Sequence, residues 1–200
     1  MSIKVTQRVE SLQPSPMFEL SGKVLRMREA GQDIISLGIG EPDDIDTPLH
    51  IKAAAIDAIH DGKTKYTPID GISMLKQAIS QKMLQDNDLE YNPYQIIVST
   101  GAKQSIHNMI ATIIEQGDEA IIFAPYWTSY KDNITYAGGT PVVIETTLEQ
   151  KFKINPEDLA NAITDRTKLV IINSPNNPSG ACYTPTELKA ISKVLLKHPD

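Results

Sequence analysis

Residues 119–145 read EAIIFAPYWTSYKDNITYAGGTPVVIE, and this stretch decides the fold. Glu119–Phe123 is a short apolar run with no polar–apolar alternation. Thr128–Ala137 has a helical pattern, Gly138-Gly139 closes it, and Pro141–Glu145 begins a second apolar run. Short runs that are apolar on both faces predict strands covered on both sides. A helix between two of them predicts a parallel crossover.

The same alternation continues outward. Upstream, Gln95–Ser99 is expected to be a strand, and Ser105–Ile114 a helix with Gly117 after it. Downstream, Asn155-Pro156-Glu157-Asp158 opens a helix by the cap-then-proline rule, and Lys168–Asn173 is a strand. Thr184-Pro185-Thr186-Glu187 opens the next helix, Pro185–Lys197, with a capping box.

Farther back, Thr47 is the expected N-cap and Pro48 the first helical residue of a helix ended by Gly62. Ile51, Ala55, Ile56 and Ile59 line one of its faces. A second helix covers Ser73–Gln85 with Leu75, Ala78, Ile79 and Met83 inward. The first forty residues are an arm. It holds an amphipathic stretch, Gly22–Ala30, stopped by Gly31, and a short strand, Ile34–Leu37. The expected fold is α/β, a three-layer sandwich around a mainly parallel sheet. The chain closes at His198-Pro199-Asp200, where the pattern calls for another strand, so a truncated fold is expected.

Composition narrows the function classes. With 40% apolar and 22% charged residues the chain has enough apolar side chains to fold. The net charge of −6 and the lack of a Lys/Arg stripe argue against a nucleic-acid partner. A single cysteine, Cys182, excludes an intrachain disulfide framework, and no His accompanies it in a nucleophile motif. Met1–Glu10 carries no apolar signal region, and no apolar run nears the roughly 20 residues of a membrane helix. No membrane association and a cytoplasmic location are expected.

Ligands of such sheets bind beyond the carboxyl ends of the strands. Ser99-Thr100-Gly101-Ala102-Lys103-Gln104-Ser105 is a small-residue turn opening a helix. Its free N–H groups suit a phosphate, although a plain tight turn has the same composition. Neither the dinucleotide nor the P-loop glycine pattern is present. Ala124-Pro125-Tyr126-Trp127-Thr128-Ser129-Tyr130 puts the chain's only Trp after a strand. It is either a stacking face for a ligand ring or a core aromatic under the helix. Asn173-Ser174-Pro175-Asn176-Asn177-Pro178-Ser179-Gly180 is a proline-stiffened loop that can aim an Asn donor, or an Asn/Pro turn. Two loops complete the set. Lys63–Pro68 has Tyr66 as a phenol for an anion, and Leu37–Asp43 has Gly40 where backbone can approach a ligand.

In this order and spacing, Leu37–Asp43, Lys63–Thr67 with Gly71, Val98–Gln104, Pro125–Tyr130 and Asn173–Gly180 resemble the aspartate aminotransferase family (class I, fold type I, pyridoxal phosphate). The resemblance spans the whole chain and identifies it with the N-terminal half of such a protein. It implies that Gly101, Ala102 and Lys103 bind the phosphate of pyridoxal 5′-phosphate through backbone N–H groups. Trp127 stacks on the pyridine ring. Asn177 donates to the ring's phenolic oxygen and helps hold the substrate carboxylate. Gly40 approaches that carboxylate, and Tyr66 reaches the phosphate of the neighbouring subunit of a homodimer. It also implies that residues 1–46 are an arm and part of a small domain, and that 47–200 begin the large, cofactor-binding domain.

The sequence departs from the family at Glu41–Pro48, which is one residue longer and lacks the usual aromatic. It departs also at Ala102, where Gly is frequent, and at Ser179, where Thr is frequent. The Schiff-base lysine, the Asp on the pyridine nitrogen and the carboxylate-clamping Arg of the family come later than Asp200. The chain alone is therefore expected to be inactive. The whole protein is expected to transfer an amino group from an amino acid, aspartate, to 2-oxoglutarate. Two alternatives keep the fold: a non-catalytic binding or interaction protein, and a lyase or synthase acting on another amino acid.

Overall fold

The computed structural model describes residues 4–12, 16–37 and 45–199, with backbone alone at 16–18. The chain forms two compact units. One joins Met1–Pro14 to Gly101–Asp200; the other is Ser15–Thr100.

The first unit holds the sheet. Helix α1 (Gln7–Glu10) lays the Arg8 guanidinium over the Tyr136 ring, 5.6 Å from its centroid. The elements α5 (Gly101–Ile113), β1 (Glu119–Ala124), α6 (Ser129–Ala137), β2 (Thr140–Glu145), α7 (Pro156–Ala162), β3 (Thr167–Val170) and α8 (Pro185–Leu195) follow. The strands are parallel in the order β2-β1-β3, with Ile121 opposite both Val142 and Val170. Ile121 and Ile122 are both fully buried, on opposite sides of the sheet. Ile122 joins Ile110, Ile114, Tyr130 and Ile134 of the α5/α6 layer. Ile121 joins Ile154, Leu159, Ile191 and Val194 of the α7/α8 layer. The expected three layers follow from that single pair, because successive strand residues face opposite ways.

The helix starts follow their caps. Asn155 accepts from the Glu157 amide at 3.0 Å, and Thr184 and Glu187 form the expected reciprocal box. Ala124-Pro125, Ser174-Pro175 and Asn177-Pro178 are cis. At the amino end of the sheet, Glu119 is buried. Its carboxylate accepts from Thr164 Oγ1 at 2.6 Å and Arg166 Nε at 2.9 Å, bonds that hold it below the usual carboxylate range.

The second unit contains α2 (Pro16–Glu29), α3 (Leu49–His60), α4 (Ser73–Asn87) and a 3₁₀ turn, Pro93–Gln95. Here several expectations fail. Of Gln95–Ser99, Gln95 closes the 3₁₀ turn and Ile96–Ser99 joins no described ladder. Asn92 caps the 3₁₀ turn, and the Val98 amide makes one bond, to the Asp70 carbonyl at 3.0 Å. Ile34–Leu37 is also not a strand: the Ile34 carbonyl accepts from the Arg28 side chain at 3.0 Å, and Ile35 and Leu37 are exposed. A strand exists only where a neighbour supplies its ladder.

Helix α3 starts one residue later than expected and buries none of its residues. On α4, Ile79 and Met83 are half-buried, whereas Leu75 and Ala78 are exposed. Its one buried side chain is Lys76, paired with Asp70. Gly71 holds φ +106, and a Cβ there would stand 2.6 Å from Val98 Cγ2. No other residue fits that conformation and that approach together.

Candidate functional site

The sheet unit gathers three of the sequence-predicted segments. Strand β1 delivers Ala124–Trp127 past its carboxyl end. Thr146 fixes that end, donating to the Ala124 carbonyl from its amide at 3.2 Å and its hydroxyl at 2.5 Å. Trp127 is half-buried on the α5/α6 core and stands edge-on to Tyr130, at 5.5 Å and 88°. The Lys103 ammonium lies over its indole, 5.3 Å from the ring centroid. Trp127 is thus a core aromatic, and Lys103 ties the start of α5 to it.

Gly101–Lys103 are exposed, and the first turn of α5 carries no acidic side chain. Gly101 sits at φ +80 with nothing within 4 Å of where a Cβ would be. With no acidic side chain in that turn, the partial positive charge of the helix start suits a doubly charged phosphate. Burial raises the Tyr126 phenol, with smaller contributions from Glu145 and Asp132; burial alone raises Tyr130. Both phenols stay neutral beside the indole.

The loop after β3 meets the Ala124–Trp127 segment at Pro125. The Asn177 amide donates to Asn173 Oδ1 at 2.8 Å, and the Asn177 side chain is exposed. Asn176, its neighbour, points inward. It donates from Nδ2 to the Pro125 carbonyl at 2.9 Å and to Ser179 Oγ at 2.8 Å. Ser179 meets this need as fully as Thr would, since only the hydroxyl is used. Sequence reasoning missed Asn176. The available signal was a second Asn beside the one chosen, in a loop held by prolines on both sides.

Tyr66 belongs to the other unit. It is fully exposed and lines an open concavity with Thr64, Lys65, Thr67, Pro68 and Ile69. Gly40 lies outside the described residues. Among the described residues no cluster of three or more His, Cys, Asp or Glu is placed to hold a metal.

The residues present fit pyridoxal phosphate. An exposed helix start suits a phosphate, an indole suits a flat ring, and the exposed Asn177 side chain is a donor suited to an oxygen. Comparison gives the class: the profile of the family described as aminotransferase class I and II matches residues 32–199, and the chain belongs to that family.

Within it, the chain is 51% identical over 198 residues to the aspartate/prephenate aminotransferase of Nitrosomonas europaea. That match covers 99% of this chain and 50% of the relative. Among solved structures it resembles the aspartate aminotransferase from Rhizobium meliloti (TM-score 0.94, 43% identity, 99% of this chain and 49% of that one). It also resembles the Thermus thermophilus aspartate aminotransferase with maleate (TM-score 0.94, 41% identity, 98% and 51%). The chain spans about half the length of the curated relatives it matches. The family is generally dependent on pyridoxal phosphate.

Proposed function

We propose that the whole protein transfers the amino group of aspartate to 2-oxoglutarate with pyridoxal 5′-phosphate as cofactor. The observation that carries this is the meeting of the α5 start, Trp127 and the Asn173–Gly180 loop at one end of the sheet. The 51% identity to an aspartate/prephenate aminotransferase supports it. So does the maleate named with the Thermus thermophilus structure, because maleate, like aspartate, is a four-carbon dicarboxylate.

The residues divide the work. The amides of Gly101, Ala102 and Lys103 hold the phosphate, with the helix dipole behind them. Trp127 supplies the stacking face, and its edge contact with Tyr130 fixes the ring plane. Asn177 donates to the phenolic oxygen and to the substrate carboxylate, and Gly40 approaches that carboxylate through its backbone. When bound, the cofactor supplies an electron sink for removal of the substrate's Cα proton. The lysine that moves that proton belongs to the part of the protein beyond Asp200.

In this reading residues 1–46 are an arm and part of a small domain, and 47–200 begin the large domain. Tyr66 serves the neighbouring subunit of a homodimer, which its complete exposure supports. The protein acts in amino-acid biosynthesis in the cytoplasm. Among the described residues no helix is long and apolar enough to cross a membrane.

Borohydride reduction of the full-length protein with pyridoxal phosphate, followed by peptide mass mapping, tests the assignment. One modified lysine, downstream of residue 200, is expected, together with turnover of aspartate with 2-oxoglutarate. Prephenate belongs in the acceptor panel, since the Nitrosomonas relative bears its name. An adduct on a lysine within residues 1–200, or none at all, would overturn the assignment.

A further inference from the structure

The ring-stacking and oxygen-binding roles sit on different loops, about fifty residues apart in sequence, and catalysis needs both held to one ligand ring. Asn176 is the side chain that joins them. Its Nδ2 reaches the Pro125 carbonyl, two residues before Trp127, at 2.9 Å. The second Nδ2 hydrogen goes to Ser179 Oγ at 2.8 Å, and that hydroxyl also accepts from the Ala181 amide at 3.3 Å. The Asn176 backbone closes the loop as well. Its amide donates to the Ala181 carbonyl at 2.9 Å, and its carbonyl accepts from Gly180 at 2.7 Å. The orientation of the side-chain amide is fixed by chemistry: a proline carbonyl can only accept, so the nitrogen must face Pro125.

We infer that Asn176 is a positioning residue, which sets the separation between the Trp127 ring and the Asn177 donor without touching the ligand itself. The inference rests on the cofactor reading above. Asn177 extends from the next position of the same loop, its backbone tied to Asn173, so any drift of Asn176 away from Pro125 carries the Asn177 donor with it. A carboxylate in place of the amide has nearly the same shape but no hydrogen to give, and it faces the Pro125 oxygen with negative charge.

The test compares Asn176→Asp, Asn176→Ala and Asn177→Ala in the full-length protein. The first readout is the pH midpoint of the bound cofactor's absorption change, with the affinity for pyridoxal phosphate. The expected result is a midpoint shift in Asn176→Asp of the same sign as in Asn177→Ala. Affinity should weaken about tenfold, the scale of one lost hydrogen bond. Asn176→Gln, which keeps the donor on a longer stem, should recover part of both. The second readout is amide hydrogen exchange without cofactor. Exchange should rise together in residues 126–130 and 176–181 and stay unchanged in α8.

A fall in melting temperature with unchanged midpoint and affinity would overturn the inference, as would faster exchange in the 176–181 segment alone. If the wild-type protein binds no pyridoxal phosphate, the cofactor reading fails instead. The exchange experiment then decides by itself whether Asn176 couples the two loops.

Discussion

The two units are built from similarly apolar helices and end up in opposite states. In the sheet unit Ile110, Ile121, Ile122, Ile134, Leu159 and Ile191 are fully buried. In the Ser15–Thr100 unit the one buried side chain among the described residues is a lysine, Lys76. Helix α3 carries Leu49, Ile51, Ile56 and Ile59, each at least half exposed. The difference lies in what each helix has to lean on. A sheet offers two continuous faces, and every helix laid across it finds apolar partners. Helices without a sheet must pack on one another, and among the described residues α3 buries none of its side chains. An apolar stripe on a helix therefore states a need for a partner and does not supply one.

The sharpest way to break this contrast is to truncate one isoleucine from each unit. Ile121→Ala removes a side chain that is 0% exposed, between the sheet and α7/α8, and should cost about 2–5 kcal/mol. Ile59→Ala, at a position 65% exposed, should cost less than about 1 kcal/mol. Urea unfolding of the 200-residue chain measures both. Equal costs would mean that α3 is covered in solution by something this chain's own fold does not provide.

A second substitution asks whether the helical unit has any tight spot of its own. Gly71→Ala would force a Cβ against Val98, at 2.6 Å from Cγ2 and 2.9 Å from Cβ, at a φ of +106. Both contacts are with a branched side chain that cannot swing away, so a loss of about 3 kcal/mol is expected from strain and overpacking together. The Asp70–Lys76 pair and the Val98–Asp70 backbone bond meet at the same point, so the loss should be local. Hydrogen exchange rising across 68–76 and 96–99, with the sheet unit unchanged, would show it. A silent substitution would mean that Val98 is not held there.

The same contrast explains what the sequence made legible. Ile121-Ile122 declares a strand covered on both faces, and the caps Asn155 and Thr184 mark their helix starts, because each of these signals is satisfied within a few residues or by the sheet itself. Gln95–Ser99 and Ile34–Leu37 look like strands for the same compositional reasons. Whether they become strands depends on a distant partner that local sequence does not encode. At the site, Trp127 and the α5 start are visible because each is written in a few adjacent residues: the chain's one Trp after a strand, and a small-residue turn opening a helix. That Lys103 covers the Trp127 ring and Asn176 bridges to Pro125 is settled by tertiary approach. Of two adjacent asparagines, sequence reasoning picked out the exposed one and passed over the one that holds the loops together. Lys76 was unreadable for a related reason: a lysine on an amphipathic helix is expected in water unless a specific carboxylate waits for it.

The smallest effect concerns charge rather than packing. It tests whether the sheet unit's ordering extends to its rim. Glu187 accepts from Lys153 Nζ at 2.8 and 2.9 Å, from the Thr184 amide at 2.7 Å and from the Thr184 hydroxyl at 2.9 Å. The lysine, first among these, holds the carboxyl down from 4.5 to about 2. A carboxyl whose folded value lies below its unfolded one stabilises the fold wherever it is ionised in both states. Its contribution is complete above the ordinary value, declines as pH falls from about 4.5 towards 2, and is gone below that. Glu187→Gln keeps the shape and much of the cap but loses the charge. Wild type should therefore exceed the variant in urea midpoint at neutral pH, and the gap should narrow through that acid window. The gap should be modest, since Glu187 remains 40% exposed and water screens the pair. A gap that stays constant with pH would assign the stabilisation to cap geometry alone. The order at the rim would then come from the backbone turn at Thr184 and owe nothing to Lys153.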